Sequence, residues 1–310
     1  MIKALKEKQL LMVKSEQEDK HLANKYMILV KDRDFSSNDE IINTLNYLSY
    51  QEIGYFADAC RALPVHCANK KLWGLLGDRV VSYALKLQPQ QPFLTFSYRN
   101  KLSKVCQAFA YAGFKHDLML AALKKRAHLS HSDYTPLQGA RVMWTLYCFK
   151  EADKKLYYSM SRTAVSGYRD AAFNTLVTMC LLYAKARFPH PALANRTLKR
   201  LSMCAHCVHT DDLVDGVYAL AFFRPIIKDP ESHAKLLNEL TERSQELTPE
   251  HIYALCLALP QLKISAHALL CQLQYRVAEL KLTFPEEQLS AISSWYEEYD
   301  FVLPLVAPLL

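Results

Sequence analysis

Glycine is scarce in this chain, with 7 residues in 310, and no apolar run approaches the roughly 20 residues that a membrane-spanning helix needs. Because strand-like alternation between turn residues is also lacking, the sequence predicts an all-α protein. Charged residues interrupt the N-terminus, so no secretory signal is expected. The first 34 residues carry eight Lys or Arg and six Asp or Glu, unlike an Arg-rich, acid-poor transit peptide. A presequence that has been removed would leave the same pattern.

Common enzyme signatures are also missing. The chain has no glycine-rich phosphate loop, no His-Glu-x-x-His and no Gly-x-Ser-x-Gly. The segment HLSHSD, residues 128–133, is interpreted as a polar turn between helices. We therefore predict a protein that is not an enzyme, with no catalytic residues and no cofactor.

One short cluster has the spacing of metal ligands. Cys204 and Cys207 enclose His206, and His209 follows them. This could be half of a zinc site, but no second pair of Cys or His completes the four ligands that structural zinc requires. We favour the alternative, a helix end with two packed thiols, and predict no metal. The odd total of nine cysteines predicts free thiols that are buried on helix faces in a reducing compartment.

A recurring apolar pattern is the main positive feature of the sequence. VCQAFAYAGFKHDLMLAAL, from Val105, and VMWTLYCFKEADKKLYYSM, from Val142, place apolar residues alike and have a gap in the middle, which predicts a helix, a turn and a second helix. Four similar units follow or precede them. The anchors lie 37, 35, 40 and 37 residues apart: Val105, Val142, Val177, Val217 and Ala254. We therefore predict an α-solenoid of about six helix-turn-helix repeats with a period near 37.

The predicted organisation has three parts. Residues 1–48 form a helical N-terminal extension, residues 49–282 form the repeat array with an insert near 88–97, and residues 283–310 form a C-terminal cap helix with an apolar tail. Helix starts support this division, because the sequence places a capping side chain directly before proline at Thr135, Asp229 and Thr248. Thr135 and Gln138 also have the spacing of a capping box.

Charge is distributed very unevenly along the chain. Residues 61–200 contain 23 Lys or Arg against six Asp or Glu, whereas residues 201–310 contain seven against fifteen. A solvated protein surface normally mixes both signs, so the missing acids favour a surface for a phosphate backbone. We expect clusters at equivalent positions of successive repeats to line up on one edge and bind RNA. The predicted RNA-binding residues are Arg99, Lys101, Lys104, Lys124, Lys125, Arg126, Lys150, Lys154, Lys155, Arg196, Lys199 and Arg200.

Aromatic residues lie near these clusters and at the C-terminus. Phe96, Tyr98, Tyr157 and Tyr158 could stack on unpaired bases, although core packing is the favoured interpretation. The last ten residues, 301–310, are almost wholly apolar and either fold back on the last helix pair or form a partner site. The predicted partner-binding residues are Trp295, Tyr296, Tyr299 and Phe301.

One repeat resembles a known family. AFAYAGFKHDLMLAAL, Ala108 to Leu123, has a helix ending in Ala-Phe-Ala-x-x-Gly, a short turn, an acidic residue and a Leu-rich second helix. It is similar to the repeats of organellar proteins related to the FAST-kinase and RAP-domain families, also called heptatricopeptide or octotricopeptide proteins. Units near Trp144, Leu181 and Tyr218 are similar too, so the resemblance covers half of the chain. It implies an α-solenoid that acts in mitochondria or plastids and binds RNA in processing, editing, translation or ribosome assembly.

The C-terminal residues contain no recognisable RAP-like domain, so the resemblance implies no ribonuclease activity. The composition also resembles helical accessory proteins of protist mitochondrial ribosomes and RNA-editing complexes. We therefore expect a non-enzymatic scaffold in a ribonucleoprotein assembly of the mitochondrial matrix, whose basic repeats contact RNA and whose acidic C-terminal third contacts protein. No membrane and no small-molecule substrate are expected. The alternative is a protein–protein adaptor, like tetratricopeptide or HEAT solenoids, without direct RNA contact.

Overall fold

A computed structural model of the chain describes residues 20–49, 52–86, 92–130, 134–223, 229–262 and 266–298, with side chains in these ranges except at 84–86, 92–101, 130 and 297–298. Every regular element in these ranges is helical and none is a strand, which confirms the predicted all-α class. The chain divides into two compact units, Met1–Met160 and Ser161–Leu310. Among the described residues, no helix combines the length and the apolar character needed to cross a membrane.

The N-terminal unit begins with α1, described over residues 20–31. The boundary between the two units, after Met160, falls inside the last helix of this unit, Lys154–Ser166. The other helices are α2 (Asn38–Tyr47), α3 (Ile53–Ala62), α4 (Pro64–Cys67), α5 (Lys70–Lys86), α6 (Pro92–Tyr111), α7 (Asp117–Ser130), α8 (Pro136–Cys148) and α9 (Lys154–Ser166). Part of the predicted insert near 88–97 therefore belongs to α6, and residues 87–91 lie outside the described ranges.

The C-terminal unit continues the same alternation of helix and short turn. Its helices are α10 (Phe173–Lys185), α11 (Pro191–Met203), α12 (Thr210–Phe223), α13 (Pro230–Glu242), α14 (Pro249–Leu262), α15 (His267–Leu280) and α16 (Glu286–Glu298). The predicted capping box at the start of α8 is present, with both Thr135 and Gln138 bonded as expected. Asp229 and Thr248 cap α13 and α14 as the sequence predicted.

Within each unit the helices pack in two rows. In the N-terminal unit α3, α6 and α8 pack successively against one another, and so do α2, α5 and α7. In the C-terminal unit one row is α10, α12, α14 and α16, and the other is α11, α13 and α15. We call α3, α6, α8, α10, α12 and α14 the first helices, and α5, α7, α9, α11, α13 and α15 the second helices. Each second helix follows a first helix along the chain.

The second helices share one burial pattern, which becomes visible when the residue before each helix is numbered position 0. Positions 4, 7 and 11 are buried in all six helices, and position 3 is buried in all except α13, where Ser232 is half-buried. In α7, for example, these positions are Met119, Leu120, Leu123 and Ala127. The spacing places the four side chains on one face of the helix, which packs into the core of its unit.

Position 0 also has a common function, because five of its six side chains cap the helix that follows. Each accepts a hydrogen bond from the backbone N–H of position 3 and satisfies one of the helix's unpaired N–H groups. The five caps are Asn69, His116, Asp153, His190 and Asp229, at intervals of 47, 37, 37 and 39 residues. Only Asp229 was recognised from the sequence; Asn69 and Asp153 have no proline after them to mark the helix start, and histidine is not among the usual N-caps.

Three consecutive first helices end in the same way. At α6, α8 and α10, the second residue after the helix has a left-handed backbone: Gly113 (φ 66°), Lys150 (φ 58°) and Arg187 (φ 56°). The N–H of each donates to a carbonyl of its helix at 3.0–3.2 Å, and the next N–H donates to an earlier carbonyl at 2.7–3.1 Å. This is the Schellman motif, and its left-handed residues lie 37 residues apart.

In the N-terminal unit, a histidine ring lies so close to the backbone of Gly77 that a larger residue does not fit there. A Cβ atom added to Gly77 would lie 2.2 Å from Cδ2 of His116, whose ring is held because Nδ1 accepts from the N–H of Met119 at 3.2 Å. The ring's Nε2 also lies 3.3 Å from a carboxylate oxygen of Asp78 on α5. Position 8 of α5 must therefore be glycine for the cap of α7 to form. Gly74, on the same helix, has no atom within 4 Å of such a Cβ.

We predict that Gly77→Ala lowers the free energy of unfolding by about 1–3 kcal/mol, because the new methyl group displaces the imidazole and removes the cap. The matched control, Gly74→Ala, should raise it by roughly 0.5–1 kcal/mol, since alanine restricts the unfolded chain and has room. Chemical denaturation of both variants measures the difference. Equal effects of the two substitutions would contradict this account.

Candidate nucleic-acid interface

Position 9 of three consecutive second helices carries an exposed cation. Lys125 on α7, Arg162 on α9 and Lys199 on α11 lie 37 residues apart. No carboxylate within the described ranges approaches these three side chains to ion-pair distance. The pattern stops on the neighbouring second helices, because position 9 of α5, α13 and α15 is Asp78, Asn238 and Tyr275. These cations remain available to an anionic partner.

In the C-terminal unit further cations surround the buried Tyr168. Nε of Arg169 donates to the Tyr168 hydroxyl at 3.3 Å, and the guanidinium of Arg196 lies 4.7 Å from the ring centroid. The hydrogen bond from Arg169 lowers the pKa of Tyr168, and the charge of Lys199 acts in the same direction. The arrangement concentrates positive charge between the α9–α10 turn and α11, where a phosphate group would be stabilised.

Arg200, one turn further along α11, is held mainly by packing. Its guanidinium lies 4.7 Å from the ring centroid of Phe173, and it donates a long hydrogen bond of 3.8 Å to Sγ of Cys204. The side chain is half-buried and its Nε atom has no hydrogen-bond partner among the described residues. Of the predicted residues on α11, Arg196 and Lys199 are therefore the exposed ones.

Lys124 and Arg126 of the predicted α7 cluster are half-buried. Lys124 bonds Glu151 at 2.5 Å, and Lys115 bonds the same carboxylate at 2.9 Å. Hydrogen bonds from Lys124 and Lys115 lower the pKa of Glu151 to about 2. Lys124 thus joins α7 to the α8–α9 turn, and of this cluster only Lys125 is exposed.

Lys104 also has a partner within the protein. Its ammonium group lies 4.3 Å from the ring centroid of Tyr55 and 3.6 Å from a carboxylate oxygen of Asp58, both on α3. The side chain is half-buried, so Lys104 connects neighbouring first helices. Arg99 and Lys101 lie on α6, but their side chains are outside the described part of the structure.

The expectation that the predicted clusters occupy equivalent positions holds only in part, since Lys125 and Arg126 on α7 match Lys199 and Arg200 on α11 at positions 9 and 10. Lys154 and Lys155 are exposed at positions 1 and 2 of α9, whereas the cluster on α7 occupies positions 8 to 10. Lys150 is exposed in the turn before α9, and Lys104 lies on a first helix. The predicted clusters were grouped because their residues are close in sequence, but the residues lie at different positions of the helices and turns. Arg162, at position 9, was missed because no second cation stands beside it.

The structure also shows which of the aromatic residues considered for base stacking are buried. Tyr157 is buried and its hydroxyl donates to the carbonyl of Met143 at 2.8 Å, which agrees with the favoured core interpretation. Tyr158 is half-buried, and the side chains of Phe96 and Tyr98 are not among those described. Tyr111 and Trp144 were missed. Their ring centroids lie 4.3 Å apart between α6 and α8, and Tyr111 is 53% exposed.

Two predicted partner-binding residues, Trp295 and Tyr296, are buried in the described structure. Trp295 and Tyr296 are 7% and 1% exposed, and the hydroxyl of Tyr296 donates to the carbonyl of Leu270 on α15 at 3.0 Å. Both side chains are buried in this structure, and their role in partner binding stays a prediction. Tyr299 and Phe301, with the rest of the apolar tail, lie outside the described residues.

A buried serine and histidine are close enough to suggest catalysis, but their hydrogen bonds do not support it. His190 Nε2 lies 3.0 Å from Oγ of Ser161, which lies 2.9 Å from the hydroxyl of Tyr183. Nδ1 of His190 accepts from the N–H of Leu193, so the proton of the neutral ring is on Nε2. The ring therefore donates to Ser161 and does not act as its base in this arrangement.

The short Cys-x-x-Cys segment spans a helix end. α11 ends at Met203, Cys204 is half-buried and Cys207 is exposed, so the expected pair of packed thiols is wrong for Cys207. In the described part of the chain no three His, Cys, Asp or Glu side chains are grouped to hold a metal ion. The expectation of uniformly buried cysteines is also wrong. Four are buried, three are half-buried, and Cys148 is exposed like Cys207.

Comparison with known proteins identifies no relative. No family model matches the chain, and no curated protein is significantly similar to it. The similarity of Ala108–Leu123 to organellar repeats therefore rests on its own residues, and the function has to be inferred from the placement of side chains.

His190 predicts a measurable pH dependence of stability. Burial lowers its pKa below the usual value near 6.5, so the unfolded chain binds a proton more readily than the folded chain. The free energy of unfolding should therefore fall as the pH drops below about 6.5, by at most about 1.4 kcal/mol per pH unit from this residue. His190→Asn keeps a capping side chain and removes the titrating group.

Thermal melting of both proteins between neutral and mildly acidic pH tests this prediction. The other histidines, and Asp212 and Asp215 with their raised pKa values, are common to both proteins and cancel in the comparison. The wild-type protein should lose more stability than the variant. Parallel pH profiles would show that the charge of His190 does not matter.

Proposed function

We propose that this chain is an α-solenoid that binds RNA and serves as a scaffold in a ribonucleoprotein assembly. The shared burial pattern of the second helices, the recurrence of their N-caps and the three identical Schellman turns support a repeat of 37 residues. A single helix pair cannot bury its apolar face on both sides, so such pairs stack on their neighbours.

The observation that carries the RNA-binding proposal is the repeated cation at position 9. Lys125, Arg162 and Lys199 are exposed and have no acidic partner among the described residues, whereas Lys104 and Lys124 do. A phosphate backbone is an anionic partner that fits exposed cations with no acidic partner among the described residues. The acidic C-terminal third is proposed to contact protein.

We predict that the triple variant Lys125→Glu, Arg162→Glu and Lys199→Glu binds RNA much more weakly than the wild type. If each side chain contacts one phosphate of a single strand, the slope of log K against log salt should fall by about 2. Fluorescence anisotropy with a labelled single-stranded RNA of mixed sequence, titrated at several salt concentrations, measures both quantities.

The matched control is Lys31→Glu, Lys70→Glu and Lys71→Glu. This variant reverses three exposed lysines on α1 and α5 that belong to none of the predicted RNA-binding clusters, and it changes the net charge equally. It should retain most of the affinity and nearly all of the salt dependence. Equal losses in the two variants would indicate general attraction by net charge, and no RNA binding by the wild type would favour the adaptor alternative.

We also propose that the assembly is mitochondrial, as the resemblance of Ala108–Leu123 to organellar repeats implies. Candidate assemblies are the mitochondrial ribosome, its assembly intermediates and complexes that process or edit RNA. Tagging the full chain and sequencing the RNA that copurifies from isolated mitochondria at low salt tests this. Recovery of the protein outside mitochondria would contradict the location but not the RNA binding.

A further inference from the structure

Lys150 and Arg187 have a backbone conformation that side chains usually avoid. Both occupy the left-handed position of a Schellman turn, with φ of 58° and 56°, and the same position after α6 is Gly113. Left-handed backbone brings the Cβ of an L-residue too close to its own carbonyl group, and glycine avoids that strain. The chain therefore has glycine at one of three equivalent turns and a cation at the other two.

The strained residues are also exposed and unpaired. No carboxylate in the described ranges lies within ion-pair distance of Lys150 or Arg187, although Glu151, next to Lys150, is bonded to two other lysines. The cations lie 37 residues apart, as the position-9 residues do. The Schellman hydrogen bonds hold this backbone, and a functional use of the side chain is the hypothesis that the remaining strain suggests.

We propose that Lys150 and Arg187 are phosphate-contacting residues, kept at a cost in stability because their charge binds RNA. This inference rests on the proposed RNA-binding function and adds a second contact position to the repeat. Both side chains are exposed in the turns after first helices, where an extended ligand can reach them. Arg187 belongs to none of the clusters expected from the sequence.

A competing explanation is that each cation stabilises the carbonyl end of its helix through the helix dipole. The two explanations predict opposite effects of glycine on stability. If strain dominates, glycine at either turn stabilises the protein; if the dipole dominates, glycine destabilises it. RNA binding is a separate readout that neither structural explanation changes.

The first test is the full-length double variant Lys150→Gly and Arg187→Gly. We expect the melting temperature to rise by about 2–4 °C for each relieved turn, while RNA affinity falls. The salt slope should decrease by about 0.7 for each phosphate contact that is lost from a single strand. Melting by circular dichroism and anisotropy with the same labelled RNA measure the two effects in one preparation.

The second test adds the cation where the chain has glycine. A Cβ at Gly113 meets no atom within 4 Å, so Gly113→Lys introduces strain at that φ without a clash. It should lower the melting temperature and raise RNA affinity. Gly113→Gln introduces similar strain without the charge and serves as the control, with lower stability and unchanged affinity.

The outcomes separate this inference from the proposed function. If the wild type binds RNA and the position-9 variant does not, unchanged affinity of the Lys150→Gly and Arg187→Gly variant overturns the inference alone. A lower melting temperature of that variant would also overturn it, because the cations would then be stabilising. If the wild type binds no RNA in any salt, both proposals fail together.

Discussion

Burial of one face of each second helix is the constraint on which the rest of the structure depends. Positions 4, 7 and 11 are buried in all six helices, and this fixes the rotation of each helix about its axis. Position 9 lies off this buried face, and its side chain is exposed on α7, α9 and α11. Packing therefore determines which side chains remain available for binding.

The sequence predicted the helices well because their signals are local. Apolar spacing, the capping box at Thr135 and the prolines at helix starts depend on neighbours within a few residues, and the structure places helices accordingly. The candidate interface was predicted poorly because exposure is not a local property. Lys124 and Lys125 are adjacent, yet only the first reaches Glu151, 27 residues further along the chain.

Histidine illustrates the same limit. His116 and His190 cap their helices through Nδ1, a role that sequence rules assign to Asp, Asn, Ser or Thr. Their Nε2 atoms lie near Asp78 on α5 and Ser161 on α9, so each ring contacts the preceding second helix as well as capping its own. A sequence reading without the fold had no means of distinguishing these histidines from catalytic or metal-binding ones.

The exposed cations call for an explanation other than folding. Lysine and arginine are good helix formers, but so are glutamate and glutamine, and helix propensity does not select the sign of the charge. Position 9 is Asp78 on α5 and Asn238 on α13, so the fold accepts acidic and neutral side chains there. At Lys150 and Arg187 local backbone energy even favours glycine. The proposed anionic ligand would account for the cations at two positions that packing does not constrain.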